Sequence, residues 1–191
     1  QDALGEYEKL ELALKQDEVQ LLREVALGFI VVMVKDMREQ MRGAAYTALK
    51  EVDSDEVVPY FEDGLSDGSG PVRVLAVEGL GRSETGRKSA KLRAAIEDQA
   101  GLVKARAVKM LGRTGDPEVI SLVESATRDE LSTVRIAAYG ALIRLGKKEV
   151  WAQLQRAAET PNPEDRAEAI RTIAELKDQR GAPIMMESLT Y

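Results

Sequence analysis

Apolar residues along the chain fall into short stripes with helical spacing, and the stripes recur every 31 positions. In the stretch from Ser83 to Gly112, Ala90, Leu92, Ala95 and Ile96 form one stripe. Leu102, Val103, Ala107, Met110 and Leu111 form a second. Both have the three-and-four spacing of an amphipathic helix. Polar and glycine positions at 98–101 and at Gly112 separate them. The pattern predicts two helices per unit, A then B, joined by a short turn.

The columns run in register. Ala45, Ala76, Ala107, Ala138 and Ala169 share one helix-B position, and Leu49, Leu80, Leu111, Leu142 and Ile173 lie four places later. In helix A the large column is Ile30, Phe61, Leu92, Val123, Leu154 and Met185. Alanine at a fixed helix-B position implies close approach by a neighbouring helix, and the leucine one turn on implies a core position. Such periodicity denotes one supersecondary unit stacked on itself.

A basic residue precedes each alanine by three, and an aspartate precedes the base by six. The pairs are Asp36 with Arg42, Asp67 with Arg73, Asp98 with Lys104 and Asp129 with Arg135; Thr160 replaces the aspartate before Arg166. An aspartate in the turn before helix B suits the unsatisfied N–H groups of a helix start. A base in the first turn of helix B can reach the aspartate of its own or an adjacent unit, giving a charge ladder.

These columns and pairs resemble HEAT repeats of the short, 31-residue kind found in bacterial chains and in phycobilin-lyase-like proteins. The resemblance covers roughly residues 20–191. It implies an all-α, right-handed α-solenoid of about five helix-pair repeats with terminal capping helices. It also implies an inter-repeat Asp–Arg ladder and a proline in helix A, which Pro59 and Pro183 match. The expected division is a cap over 1–18, repeats over 19–50, 51–81, 82–112, 113–143 and 144–174, and a second cap over 175–191. Leu4, Tyr7, Leu10 and Leu14 form the apolar stripe of the first cap, and Asp178 to Leu189 reads as an unpaired helix A. The uncharged run from Val25 to Val34 is too short to span a bilayer as a helix. Its expected place is buried between cap and second copy; the alternative is a face for a partner or for a second copy of the chain.

Composition narrows the chemistry. The net charge is −6, a poor starting point for contacting phosphates. There is no cysteine and no histidine, which removes thiolate sites, disulfides, and the commonest general base and metal ligand. The stretches Asp53 to Glu56 and Gly64 to Gly70 lack the ligand and lysine patterns of calcium and phosphate loops and read as turns. No catalytic, cofactor or metal residues are expected. Trp151, the only tryptophan, shares a helix-A column with Val58, Ser89 and Ile120, so partial burial is expected rather than a role as a partner anchor.

Charge segregation points to a surface. Helix B of the third unit carries Lys104, Arg106, Lys109 and Arg113 without an acid, while the following helix A is acidic. B helices usually line the concave side of a HEAT stack. A groove with a mainly small and apolar floor, Ile136 and Ile143 among its residues and Lys109 at one of its positions, and a rim of Arg82, Arg113 and Arg144 suits an acidic amphipathic peptide. The rival reading is that these bases only complement helix C-termini. The expected function is a non-enzymatic scaffold or adaptor binding a protein on that face. The alternatives are nucleic-acid binding on the same stripe and a lyase-like subunit role. A homo-oligomer is compatible with apolar solenoid ends. A cytoplasmic location is the default, with a removed export signal as the alternative.

Overall fold

The computed structural model describes residues 2–188, with side chains for residues 14–186. Helices form where the 31-residue columns place them. The chain runs through α1 (Asp2–Met33), α2 (Glu39–Leu49), α3 (Val58–Gly64), α4 (Gly70–Leu80), α5 (Glu84–Arg87), α6 (Ala90–Ala94), α7 (Gly101–Leu111), α8 (Ile120–Ala126), α9 (Ser132–Arg144), α10 (Trp151–Ala158), α11 (Pro163–Leu176) and α12 (Ala182–Ser188). No strand occurs among the described residues.

The B helices α2, α4, α7, α9 and α11 pack side by side in chain order. The A helices α3, α6, α8 and α10 back them as a second layer. Every alanine of the helix-B column is buried, as are Leu49, Leu80, Leu111, Leu142 and Ile173. Phe61, Leu92, Val123 and Leu154 fill the layer between A and B helices. Ile30 and Met185, at the two ends of that column, are only partly buried because each lacks one flanking layer.

Local sequence sets the helix starts. Ser69 caps α4 by accepting the Val72 N–H, and Asn162 caps α11 by accepting those of Glu164 and Asp165. The glycine-rich stretch 64–70 is the turn into α4. Ser54 caps the 3-10 turn that leads into α3. Gly115 and Gly146, one repeat apart, close the turns after α7 and α9 with φ of 68° and 94°. Those angles suit glycine, which has no Cβ to clash.

Two stretches depart from expectation. Helix A of the third unit is split into α5 and α6, because Ser89 starts a new helix by accepting the Lys91 N–H. More consequentially, α1 is one helix of 32 residues, so the expected cap and the first helix A are continuous. Nothing between Gln16 and Glu24 breaks a helix; glycine and proline are absent there. A straight helix cannot fold back over its own opposite side. Leu27, Ile30, Met33 and Val34 face the stack, but Val25, Phe29 and Val32 are exposed. The expected burial of the whole Val25–Val34 run is therefore corrected. Leu4, Tyr7, Leu10 and Leu189 lie outside the described side chains.

The charged columns join one layer to the next. Arg42 donates from Nε and Nη2 to the Asp67 carboxylate at 2.6 and 2.9 Å. Arg73 repeats this on Asp98 at 2.7 and 2.8 Å, and Lys104 reaches Asp129 at 2.9 Å. Each link runs from a base to the aspartate of the following copy. The arginines use a further nitrogen, Nη1, on the backbone of their own copy: Arg42 on Asp36, Arg73 on Asp67, and Arg135 on Asp129, at 2.8–2.9 Å. A planar guanidinium can serve both copies at once, whereas the single nitrogen of Lys104 serves one. The aspartates also accept the N–H two residues on, from Ser69, Ala100 and Leu131. Burial pushes the Asp67 and Asp98 carboxyls up, but the arginine and backbone donors outweigh it and hold both below the usual carboxylate value. Asp129 is lowered mainly by the Leu131 N–H, with Lys104 adding to it. After Arg135 the acceptor would be Thr160, and that junction uses a Ser132–Asp165 hydrogen bond of 2.6 Å instead.

Candidate binding groove on the helix-B layer

The exposed strip of the B helices narrows to a groove of about 250 Å³ between α7, α9 and α11. Leu102, Ala105 and Ala137 give it apolar wall, and Arg106, Lys109, Arg144 and Arg171 give it basic edges. Leu102 is an exposed large apolar residue of this surface.

Glu175, from the last turn of α11, organises the site. Lys109 meets it at 2.5 Å, Arg144 at 3.3 Å, and Arg113 stands 3.9 Å away. Burial would raise the Glu175 carboxyl, but the Lys109 and Arg144 donors outweigh it and keep the group below its ordinary value. It is therefore ionised near neutral pH. Glu78 of α4 does the same nearby, receiving Lys50 from α2 at 2.7 Å and Arg106 from α7 at 3.3 Å. Arg171 pairs with Glu168 on its own helix. Five bases (Arg106, Lys109, Arg113, Arg144 and Arg171) thus meet three acids, Glu78, Glu168 and Glu175, leaving a local positive excess on an acidic chain.

Of the residues expected on the groove, Lys109 and Arg144 line it, and Arg113 reaches it through Glu175. Ile136 and Ile143 do not. They are only 2% and 8% exposed and pack with Trp151, Leu154 and Ile173 in the core of the last repeats. Each inner B helix, α9 among them, is flanked by two others and backed by an A helix, so its buried arc is wide. The groove is lined by Ala105 and Arg106 of α7 and by Thr133 and Ala137 of α9, and it passes Ile136 by. Arg82 is also elsewhere. It lies 3.7 Å from Glu51 and lines a separate cavity of about 650 Å³ with Lys50, Asp53, Asp55 and Glu84. Trp151 is buried, with the Arg180 guanidinium 4.2 Å from its ring centre.

Glu175 and Arg171 are absent from the sequence expectation, and Arg106 stands there only as one base of the helix-B run, yet the columns hold the signal. Arg82, Arg113 and Arg144 extended by one more step reach Glu175. Glu78, Lys109 and Gly140 extended likewise reach Arg171. The charge reversal in the fifth copy is what turns a row of bases into an ion-pair cluster. Among the described residues no group of three or more His, Cys, Asp or Glu is placed to hold a metal ion. No described helix is long and apolar enough to cross a membrane.

Stacked A–B helix pairs with an inter-repeat charge ladder define an all-helical repeat solenoid. Residues 89–161 match the family model for HEAT repeats, as the columns implied. No curated protein matches the chain by sequence. Solved structures share the fold, these two among them. One is human deoxyhypusine hydroxylase in complex with glycerol, 18% identical, with a TM-score of 0.61 over 90% of this chain and 70% of that one. The other is the complex of CpcE and CpcF of phycocyanin lyase from Nostoc sp. PCC7120, also 18% identical, with a TM-score of 0.69 over 84% and 68%. At that identity the likeness is one of architecture.

Proposed function

We propose that this protein is a non-enzymatic scaffold that binds a protein partner through the groove between α7, α9 and α11. The partner presents an acidic, amphipathic segment. Its carboxylates pair with the outward edges of Arg106, Arg113 and Arg171, and its apolar side chains rest on Leu102 and Ala105. Lys109 and Arg144 take part less directly, since their side chains are less exposed than those of Arg106, Arg113 and Arg171. The observation that carries this reading is the positive excess of the groove on a chain of net charge −6. Complementary charge speeds encounter and selects partners more than it adds raw affinity.

The test begins with a partner recovered by affinity capture and verified with purified components. Arg106→Glu with Arg171→Glu is expected to weaken that binding about ten- to a hundredfold while leaving the helical signal intact. Glu175→Gln releases the three bases around it and is expected to tighten binding. Unchanged affinity in the double variant refutes the site. Binding of labelled duplex DNA that weakens steeply with salt would favour nucleic acid over protein.

A lyase-like role is the second reading, supported by the fold likeness to the CpcE–CpcF complex. Incubation with a bilin and an acceptor protein, followed by absorbance, tests it; an unshifted spectrum counts against it.

A further inference from the structure

The largest unexplained surface lies at the other end of the molecule. Leu14, Leu21, Leu22, Val25, Phe29 and Val32 are each at least half exposed, up to 73% for Val32. At 100° per residue they share one arc of α1, interrupted only by Glu18 and Gly28. That arc is opposite the side on which Leu27, Ile30 and Val34 meet the stack. The helix is thus apolar on two faces, and such helices are normally buried on both. Residues 14–26 are exposed all round, so the N-terminal part of α1 stands away from the repeats. A helix projecting alone into water is marginal, because packing supplies most helical stability.

We propose that this stripe is a self-association surface, and that a second copy of the chain occupies it as an antiparallel α1–α1 pair. Three observations favour a second copy over an unrelated partner. The first is spacing. Positions 14, 18, 21, 25, 28 and 32 follow the alternating four-and-three steps of a coiled-coil seam. The second is symmetry. A two-fold axis at residue 23 maps that set onto itself, placing Leu14 against Val32, Leu21 against Val25 and Glu18 against Gly28. Gly28 has open space beside it, so its lack of a side chain leaves room for the glutamate. A closed dimer needs one such self-complementary patch on each copy.

The third is charge and area. Residues 1–18 hold six acids and two bases, and residues 25–33, the other end of α1, hold no charge. A parallel pair would set the acidic halves against each other; the antiparallel pair sets each against the uncharged end of its partner. The six side chains present about 600 Å² of apolar surface, the upper end of what a monomer leaves in one patch. Pairing two copies would remove about 1,200 Å² or more, within reach of a specific interface.

Sedimentation velocity of the whole chain at tens of micromolar is expected to give a dimer, twice the 20.9 kDa of one chain. Leu22→Glu with Phe29→Glu is expected to abolish the dimer without changing the far-UV spectrum, since both side chains are exposed. A monomeric parent protein, or a dimer that survives the double substitution, overturns the proposal. The absence of cysteine gives an orientation test. Leu14→Cys with Val32→Cys should cross-link two chains on oxidation, and Leu14→Cys alone should not. Efficient cross-linking of the single variant means a parallel pair and also overturns it.

Discussion

Replacing Arg73 with methionine probes what holds the layers together. Arg73 is only 5% exposed, and its guanidinium joins the carboxylate of Asp98 to the backbone of Asp67 and Gly68. Methionine keeps much of the aliphatic stem and removes every one of those donors. Asp98, 12% exposed, is then left with the Ala100 N–H as its hydrogen bond. Breaking a buried pair by removing one partner costs about 3–5 kcal/mol, and the residual exposure of Asp98 brings the expected loss to about 2–4 kcal/mol. For a chain of this length that lowers the melting temperature by about 5–12 °C. Arg135→Met is the internal control. Arg135 donates to the backbone of Asp129 and Glu130, and no ladder aspartate follows it. Its loss should cost about 1–2 kcal/mol, the worth of hydrogen bonds from a charged group.

The pH dependence has a fixed sign. The folded Asp98 carboxyl is held below its unfolded value, so its contribution is complete above the ordinary carboxylate range. It is lost as pH falls through the depressed folded value. Without Arg73, burial dominates and the carboxyl takes up its proton at higher pH. The gap between parent and Arg73→Met should therefore shrink on acidification from neutrality. Urea unfolding followed at 222 nm, at neutral and mildly acidic pH, measures both effects. If Arg73→Met and Arg135→Met cost the same, or the gap is independent of pH, the ladder is not what binds the layers.

Two further outcomes follow from backbone geometry. At Gly112 an added Cβ would lie 2.5 Å from the Cα of Ala141 in the next helix. Backbone cannot yield as a side chain can, so Gly112→Ala should cost about 1–3 kcal/mol, read by thermal unfolding; a neutral result would mean that α7 and α9 are not this close. Lys177 has φ of 52° in the column that holds Gly115 and Gly146. Lys177→Gly should stabilise the last repeat by up to about 1 kcal/mol, and unfolding followed by the fluorescence of Trp151 reports it; a loss of stability would refute the strain.

The repeat, its two helices and its core columns were legible in the sequence because they depend on one-dimensional spacing. A residue 31 places on meets the same environment, so Ala107 or Leu111 declares its burial without coordinates. The ladder aspartates and bases were legible for the same reason, although the sequence left open which copy each base reaches. The structure settles that: the carboxylate belongs to the following copy and the carbonyl to the base's own. Arg106 replaced Ile136 as a groove residue because the accessible arc depends on how many helices flank each B helix. Glu175 joined Lys109 across 66 positions because stacking brings the fifth layer beside the third. The exposed side of α1 emerged only in three dimensions. Amphipathic spacing predicts that Val25, Phe29 and Val32 prefer burial, but whether anything covers them depends on which helices lie beside α1, and its continuity through residues 16–24 leaves that face to a second molecule.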